Sequence, residues 1–137
     1  MTHLVRDTCL CLHAQRAARA LARRFDEALR PVGITNGQFS LLMSLNRPQP
    51  ATMRSVASLL AMDRTTLTAA LKPLERRGLV EVHPDPKDRR SRLITLTPEG
   101  LSLLSRAVPI WEKTHKVVAA LAGEEADRLR AQLLALS

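Results

Sequence analysis

The stretch that decides the fold runs from Ala51 to Thr97 and reads ATMRSVASLLAMDRTTLTAALKPLERRGLVEVHPDPKDRRSRLITLT. Thr52 and Asp63 are residue types that cap helix N-termini, so one short helix is predicted after each of them. The apolar residues expected on the buried side of the first helix are Val56, Leu59 and Leu60, and those of the second are Leu67, Ala70, Leu71 and Leu74. The stretch therefore begins with two helices joined by a tight turn.

The opposite face of the second helix is small, hydroxylated and cationic. A surface of this kind fits a DNA major groove, where it can touch base edges and phosphates. An ordinary amphipathic helix with a solvated face is the alternative. The residues predicted to contact DNA are Arg64, Thr65, Thr66, Thr68 and Lys72.

A basic hairpin follows the second helix. Gly78 ends that helix, and alternating apolar residues predict two strands, Leu79 to His83 and Arg92 to Leu96. Two helices followed by such a hairpin form a winged helix-turn-helix, so the expected class is mainly α with a small β wing. A charged turn that is only solvated is the alternative. The wing cations predicted to contact phosphate or the minor groove are Lys87, Arg89, Arg90 and Arg92.

Several segments resemble one known family. The run Asp85–Gly100, DPKDRRSRLITLTPEG, is similar to the wing of MarR-type regulators. Leu74–Val80 is also similar to that family, and so is Gly33-Ile34-Thr35 followed by Gln38-Phe39. The resemblance covers nearly the whole chain in the family's helix order. It implies a transcriptional regulator, a repressor, that binds a pseudo-palindromic DNA duplex as a homodimer.

Helices are also predicted on both sides of this unit. Residues 4–30 carry an apolar stripe, Thr35 and Gln38 form a capping box for a helix that buries Phe39, Leu42 and Met43, and Thr97 caps a long helix with Pro98 at its first position. The long helix is predicted to keep one apolar stripe, and a last helix over residues 124–136 to turn its apolar residues inward. The stripe consists of Leu101, Leu104, Val108, Trp111, His115, Val118 and Ala122, and the inward residues of the last helix are Ala126, Leu129, Leu133 and Leu136. The terminal helices present more apolar surface than the winged unit can cover, so a second copy of the chain is the simplest partner.

Length and composition agree with one globular domain. The chain has 137 residues, 45% of them hydrophobic, and a net charge of +8 that favours a polyanionic partner. Charge alone would also fit RNA or a membrane surface. We expect a single domain, with residues 34–97 as the DNA-binding unit and residues 4–30 and 98–136 as dimerisation helices.

The resemblance also implies sites for an effector. In the family, small phenolic or aromatic ligands act between the dimer helices and the winged unit, which places a pocket near Leu21, Phe25, Trp111 and His115. It further suggests that Asp88 and Arg89 brace the wing instead of contacting DNA.

Two cysteines offer a second route of control. Cys11 falls where the peroxide-sensing OhrR-type members carry their reactive cysteine, although this chain has no tyrosine to partner the thiol; Gln15 and Phe25 occupy those spacings. On one continuous helix Cys9 and Cys11 would point about 200° apart. Redox sensing by Cys11 or Cys9 is one hypothesis, and a small buried hydrophobe is the other.

Other classes find little support in the sequence. There is no Gly-rich phosphate loop and no nucleophile signature, so an enzyme is not expected, nor is a cofactor. Cys9, His13, His3 and His115 are too scattered for a metal site. No apolar run is long enough for a membrane span and no signal peptide is evident, so the cytoplasm is expected. Two functional alternatives stay open: a constitutive architectural DNA-binding protein without an effector, and a protein-interaction module on the same fold.

Overall fold

The computed structural model describes all 137 residues and consists of seven α-helices and three β-strands. In chain order these are α1 (Thr2–Thr8), α2 (Leu10–Leu29), α3 (Asn36–Ser44), β1 (Ala51–Thr52), α4 (Met53–Leu60), α5 (Arg64–Arg76), β2 (Val80–Asp85), β3 (Asp88–Leu96), α6 (Pro98–Leu121) and α7 (Ala126–Ala135). Short 3-10 turns at Arg30–Val32 and Gly123–Glu125 follow α2 and precede α7. The predicted class, mainly α with a small β wing, is confirmed.

The sheet is larger than the sequence predicted. Strands β2 and β3 extend to Asp85 and from Asp88, so that only two residues form the turn between them. The predicted strands stopped too early because the charged residues of the tip show no apolar alternation, whereas backbone pairing does not require it. Strand β1 was missed altogether: Ala51 pairs with Ile94, and the sheet order is β1-β3-β2.

Four helices begin at the side-chain caps that the sequence predicted. Thr35 and Gln38 form the reciprocal capping box of α3. The side chains of Thr52, Asp63 and Thr97 accept hydrogen bonds from backbone N–H groups in the first turns of α4, α5 and α6. Each cap satisfies a backbone donor that the helix leaves unpaired, which explains why the boundaries could be found from the sequence.

The core lies where α3, α4, α5 and the first half of α6 pack on the sheet. Its largest fully buried side chains are Leu29, Leu41, Leu42, Val56, Leu67, Leu74, Val80 and Ile94. Two expected core residues, Met43 and Leu59, are exposed instead. Helix α3 contacts α2, α4 and α6, so the adjacent residues Leu41 and Leu42 are both covered while Met43 lies on the remaining open side.

The predicted first helix is interrupted. Cys9 has extended backbone angles (φ −71°, ψ 111°) and separates α1 from α2. Its sulfur accepts a hydrogen bond from the Leu12 backbone N–H at 3.4 Å, so Cys9 is the N-cap of α2. The estimate of the angle between Cys9 and Cys11 assumed one continuous helix and does not apply to this geometry.

The terminal helices leave apolar side chains uncovered within one chain. On α6, Leu103, Leu104 and Ala107 are buried, whereas Leu101 and Val108 of the predicted stripe are exposed. On α7 the expected inward residues Leu129, Leu133 and Leu136 are all exposed. No helix in the structure is both long enough and apolar enough to cross a membrane.

Candidate nucleic-acid interface

Helix α5 presents the predicted contact residues on its exposed side. Arg64, Thr65, Thr66, Thr68 and Lys72 are all exposed, and Leu67, Leu71 and Leu74 anchor the opposite side of the helix in the core. Asp63 caps the helix and receives hydrogen bonds from the Thr66 backbone N–H at 2.7 Å and the Thr66 hydroxyl at 2.9 Å. These two bonds lower the pKa of the Asp63 carboxyl.

Two of the three threonine hydroxyls of α5 are oriented by hydrogen bonds within the chain. The Thr66 hydroxyl donates to Asp63, and the Thr68 hydroxyl donates to the Arg64 carbonyl oxygen at 2.8 Å. Each hydroxyl hydrogen is therefore used internally, and the oxygen faces solvent as an acceptor. In a major groove such acceptors pair with the amino groups of cytosine or adenine.

Four cationic side chains surround the turn of the wing, and two carboxylates of the wing stabilise this turn by accepting backbone hydrogen bonds. Lys87, Arg89, Arg90 and Arg92 are all exposed. The Asp85 carboxylate accepts from the Lys87 backbone N–H at 2.9 Å, and that of Asp88 accepts from the Arg90 backbone N–H at 2.9 Å.

The brace expected between Asp88 and Arg89 is therefore wrong. Asp88 bonds to the backbone of Arg90 and makes no ion pair with the Arg89 side chain. Consecutive side chains of a strand point to opposite faces, which separates the Asp88 carboxylate from the Arg89 guanidinium. The Arg89 side chain remains free to reach solvent or DNA.

A direct contact joins the helix to the wing. The Arg64 guanidinium donates through Nη2 to the Arg90 carbonyl oxygen at 3.2 Å. A groove of ≈ 390 Å³ lies beside this joint, lined by Met53, Arg54, Ala57, Arg64, Asp88, Arg90 and Ser91. On the other side of Arg64 is a groove of ≈ 350 Å³ whose lining includes Lys72 and Arg92.

Arg54 is a residue of this surface that the sequence analysis missed. It lies exposed on α4 and shares the first groove with Arg64 and Arg90, against the single carboxylate of Asp88. Three guanidinium groups around one groove attract a phosphate. A cation on the exposed side of the first of two paired helices was the available signal, since that helix crosses the DNA backbone in helix-turn-helix proteins.

The wing is anchored at its base by the first turn of α6. The Thr97 hydroxyl donates to the Gly78 carbonyl oxygen at 2.6 Å and accepts from the Gly100 backbone N–H at 3.0 Å. Gly78 lies two residues past the end of α5, so one buried side chain links the segment after α5, the base of the wing and the long helix α6.

Cys11 is exposed and lies one turn from a polar pair. The Gln15 amide donates through Nε2 to the Cys11 sulfur at 3.0 Å, and its oxygen accepts from Arg19 Nη2 at 3.1 Å. The alternative that Cys11 is a small buried hydrophobe is wrong for the single chain. Cys9 is half-buried, and the His13 ring bonds to the Cys9 carbonyl oxygen at 2.8 Å and not to its sulfur. No group of three or more potential metal ligands converges in the structure.

The four residues expected around an effector fall on two packed helices. The Trp111 ring stacks on His115, with centroids 4.6 Å apart, and on Phe39 of α3 at 6.3 Å. Phe25 is half-buried and Leu21 is exposed on α2, which packs against α6. Phe39 is the member of this cluster that the sequence analysis assigned only to the core.

Comparisons with known proteins agree with this geometry. The MarR family model matches residues 34–91. The organic hydroperoxide resistance transcriptional regulator of Bacillus subtilis is 29% identical over 134 residues, which covers 98% of this chain and 90% of the relative.

Solved structures give the same result. The M. tuberculosis transcriptional regulator MosR in complex with DNA has a TM-score of 0.86 and 39% identity, over 94% of this chain and 93% of that one. A cysteine-to-serine mutant of E. coli MarR with operator DNA has a TM-score of 0.82 and 25% identity, over 97% and 96% of the two chains. The chain belongs to the MarR family of winged-helix, DNA-binding transcriptional regulators, which are not enzymes.

Proposed function

We propose that this regulator binds a pseudo-palindromic operator as a homodimer, that it acts as a repressor, and that oxidation at Cys11 releases it from DNA. The observation that carries the DNA-binding part is the groove between α4, α5 and the wing, which Arg54, Arg64 and Arg90 line together with a single acidic residue, Asp88. The net charge of +8 has the sign required for a polyanion.

In this arrangement α5 enters the major groove and the wing lies on the flanking backbone. Thr66 and Thr68 offer hydroxyl oxygens to base amino groups, and Thr65, whose hydroxyl makes no bond within the chain, can serve as donor or acceptor. Lys72 and the wing cations Lys87, Arg89, Arg90 and Arg92 neutralise phosphates. Each neutralised phosphate releases condensed counterions, so affinity falls steeply with salt.

The uncovered apolar faces support the homodimer. Leu129, Leu133 and Leu136 recur at helical spacing on α7 and are exposed in the single chain, as are Leu101 and Val108 on α6. An apolar stripe of this length is costly to leave in water. A two-fold dimer would place the two α5 helices about one DNA turn, roughly 34 Å, apart. Sedimentation equilibrium should give twice the chain mass at micromolar concentration; a monomer would contradict this part of the proposal.

The surroundings of Cys11 support oxidation as the releasing signal. Cys11 is exposed to solvent and therefore accessible to an oxidant, and its sulfur accepts a hydrogen bond from the Gln15 amide at 3.0 Å. In this step the deprotonated Cys11 sulfur attacks the hydroxyl oxygen of the peroxide and the O–O bond breaks. That oxygen and its hydrogen stay on the sulfur as a sulfenic acid, and the alkoxide or hydroxide that leaves takes a proton from water to become an alcohol or water. The similar protein of Bacillus subtilis is named for organic hydroperoxide resistance, which favours this class of oxidant.

Release follows if the oxidised dimer holds its recognition helices at a spacing that does not fit the operator. An effector can shift this equilibrium only by its different affinity for the two arrangements. A second candidate effector is a small phenolic or aromatic ligand. It is favoured by the Trp111 ring, which stacks on His115 within α6 and on Phe39 of α3, with Leu21 and Phe25 on the neighbouring helix α2. Trp111 fluorescence would report its binding directly.

The wing tests the DNA-binding proposal. Replacing Arg89 and Arg90 together by Ala should weaken operator binding and lower the slope of log K against log salt by about 2, if each neutralises one phosphate. The matched control replaces Arg128 and Arg130 on α7, which removes the same charge where Arg128 pairs with Glu125, just before the helix, and Arg130 pairs with Asp127.

The outcomes separate the competing functions. A loss confined to the wing variant supports the proposed interface. Equal affinity for operator and unrelated DNA would favour an architectural protein, and unchanged binding in both variants would favour a protein-interaction module.

A further inference from the structure

We infer that Arg64 acts on DNA by fixing the position of the wing relative to the recognition helix. This inference rests on the proposed DNA interface and assigns Arg64 a positioning role within it. The residue lies in the first turn of α5, and its guanidinium donates to the Arg90 carbonyl oxygen, 26 positions further along the chain, at 3.2 Å. It is the one side-chain hydrogen bond between α5 and the hairpin.

Strand pairing leaves this part of the wing without another anchor. Strand β2 pairs Pro84 with Arg92 and Asp85 with Asp88, with an irregular register between the two pairs. Residues 89–91 therefore have no partner residue on β2. An unpaired segment of three residues would be free to move unless other groups held its backbone.

The Arg90 backbone is held from both sides by side chains instead. Its N–H donates to the Asp88 carboxylate at 2.9 Å within the wing, and its carbonyl oxygen accepts from Arg64. The first bond shapes the tip, and only the second ties the tip to α5. The Arg90 side chain is a candidate for phosphate contact. Because Arg64 holds the Arg90 backbone, it also determines where the Arg90 side chain can reach.

The position of Arg64 between two grooves fits this role. Both grooves share Arg64, with Arg54 in the first and Lys72 in the second. If Arg64 swung out to a phosphate, it would release the Arg90 carbonyl and free the tip. Arg54 in the first groove and Lys72 in the second supply cations for phosphate contact that do not hold the wing.

A double-mutant cycle tests the inference. The probe is a duplex that the wild-type protein selects from random-sequence DNA. Arg64→Ala should weaken binding about threefold to tenfold, the range expected for one hydrogen bond. When Arg89 and Arg90 are already Ala, the same change should cost less than about twofold, because the wing no longer has cations to position. Lys72→Ala is the control, since Lys72 makes no hydrogen bond to the wing, and its effect should be equal in both backgrounds.

Amide hydrogen exchange provides a readout without DNA. In free protein Arg64→Ala should accelerate exchange of the Arg90 amide and its neighbours in residues 88–91, while the core amides of α5 keep their protection. Lys72→Ala should leave the wing amides unchanged. The exchange measurement tests the bond between Arg64 and the wing even if the protein selects no duplex. A failure to select a duplex would refute the proposed DNA-binding function and not this bond.

Each result either supports or refutes the positioning role of Arg64. A non-additive cycle together with faster exchange at the wing supports the positioning role. Equal losses in both backgrounds, a salt slope lower by about 1, and unchanged wing exchange would overturn it and make Arg64 a direct phosphate contact. If no duplex is selected, faster exchange supports the joint and unchanged exchange refutes it.

Discussion

Of the five glycines, Gly100 is the one at which an added Cβ would meet the backbone most closely, and replacing it by alanine tests how α6 packs against the base of the wing. It lies in the first turn of α6, and a Cβ there would stand 2.1 Å from the Leu79 carbonyl oxygen and 2.8 Å from a Leu96 methyl. The Leu79 oxygen also accepts the Thr97 N–H at 3.1 Å. Moving it away would break that bond at the base of the wing.

Two opposing effects set the magnitude. Alanine is favoured over glycine inside a helix by up to about 1 kcal/mol. Overpacking costs about 1–3 kcal/mol when side chains can adjust. Here the obstacle is backbone and must shift by about an ångström, so the upper end of that cost applies. We expect Gly100→Ala to lower the free energy of unfolding by about 2 kcal/mol net, with a fall in Tm of roughly 6 °C.

A matched glycine supplies the control. Gly37 is in the first turn of α3, and a Cβ there would meet only the Thr35 hydroxyl oxygen at 3.9 Å, an ordinary contact. Gly37→Ala should therefore stabilise the protein by about 0.5 kcal/mol. Urea unfolding followed by circular dichroism measures both variants. If Gly100→Ala proves as stable as Gly37→Ala, the close packing of α6 on the wing is refuted.

Three further expectations follow from single side chains. Thr97→Val removes the helix cap and the donor to Gly78 and should cost about 2 kcal/mol of stability, whereas Thr97→Ser keeps both bonds and should cost under about 1; equal losses in urea unfolding would contradict the hydrogen-bond explanation. Because the pKa of Asp63 is lowered in the folded state, its contribution to stability is present above about pH 4 and is lost as the pH falls through the lowered pKa. Asp63→Asn should therefore flatten the dependence of unfolding free energy on pH in acid. An unchanged dependence would count against the cap. Cys11→Ser should make operator affinity insensitive to peroxide while leaving the reduced affinity unchanged; a variant that is still released by peroxide would exclude Cys11 as the sensor.

Much of the fold could be predicted because its signals are local. The caps at Thr35, Thr52, Asp63 and Thr97 act within one helical turn, and each defines a helix start without reference to the rest of the chain. Leu67, Leu71 and Leu74 fix the buried side of α5 through helical spacing alone. Once that side is fixed, the opposite side is the exposed one, and the residues predicted to contact DNA on α5 are indeed exposed.

The features that were missed depend on contacts between distant segments. Strand β1 has two residues, and only its pairing with Leu93 and Ile94 of β3 makes it a strand. Met43 is exposed because of how three helices surround α3, which spacing within α3 does not reveal. The helix break at Cys9 could not be predicted from the sequence because no proline or glycine lies near it. Arg54 joins the cationic surface only because α4 packs beside the wing.

The candidate site shows the same division. Residue type and spacing indicated which wing cations are exposed, but not that Asp88 bonds to the Arg90 backbone or that Arg64 reaches the wing. Both contacts involve wing residues 88–90, beside the irregular register between β2 and β3. The residues of the tip are charged and show no apolar pattern from which that register could be predicted.

Sequence-specific binding of this protein to DNA can be measured by a fluorescence-anisotropy titration. The labelled duplex carries the DNA upstream of the protein's own gene, a scrambled duplex is the control, and each is titrated at two salt concentrations, reduced and after peroxide. We expect the upstream duplex to bind at least about 10³-fold more tightly than the scrambled one, and peroxide to abolish that difference until thiol is added. Equal affinity for the two duplexes under reducing conditions would contradict sequence-specific binding.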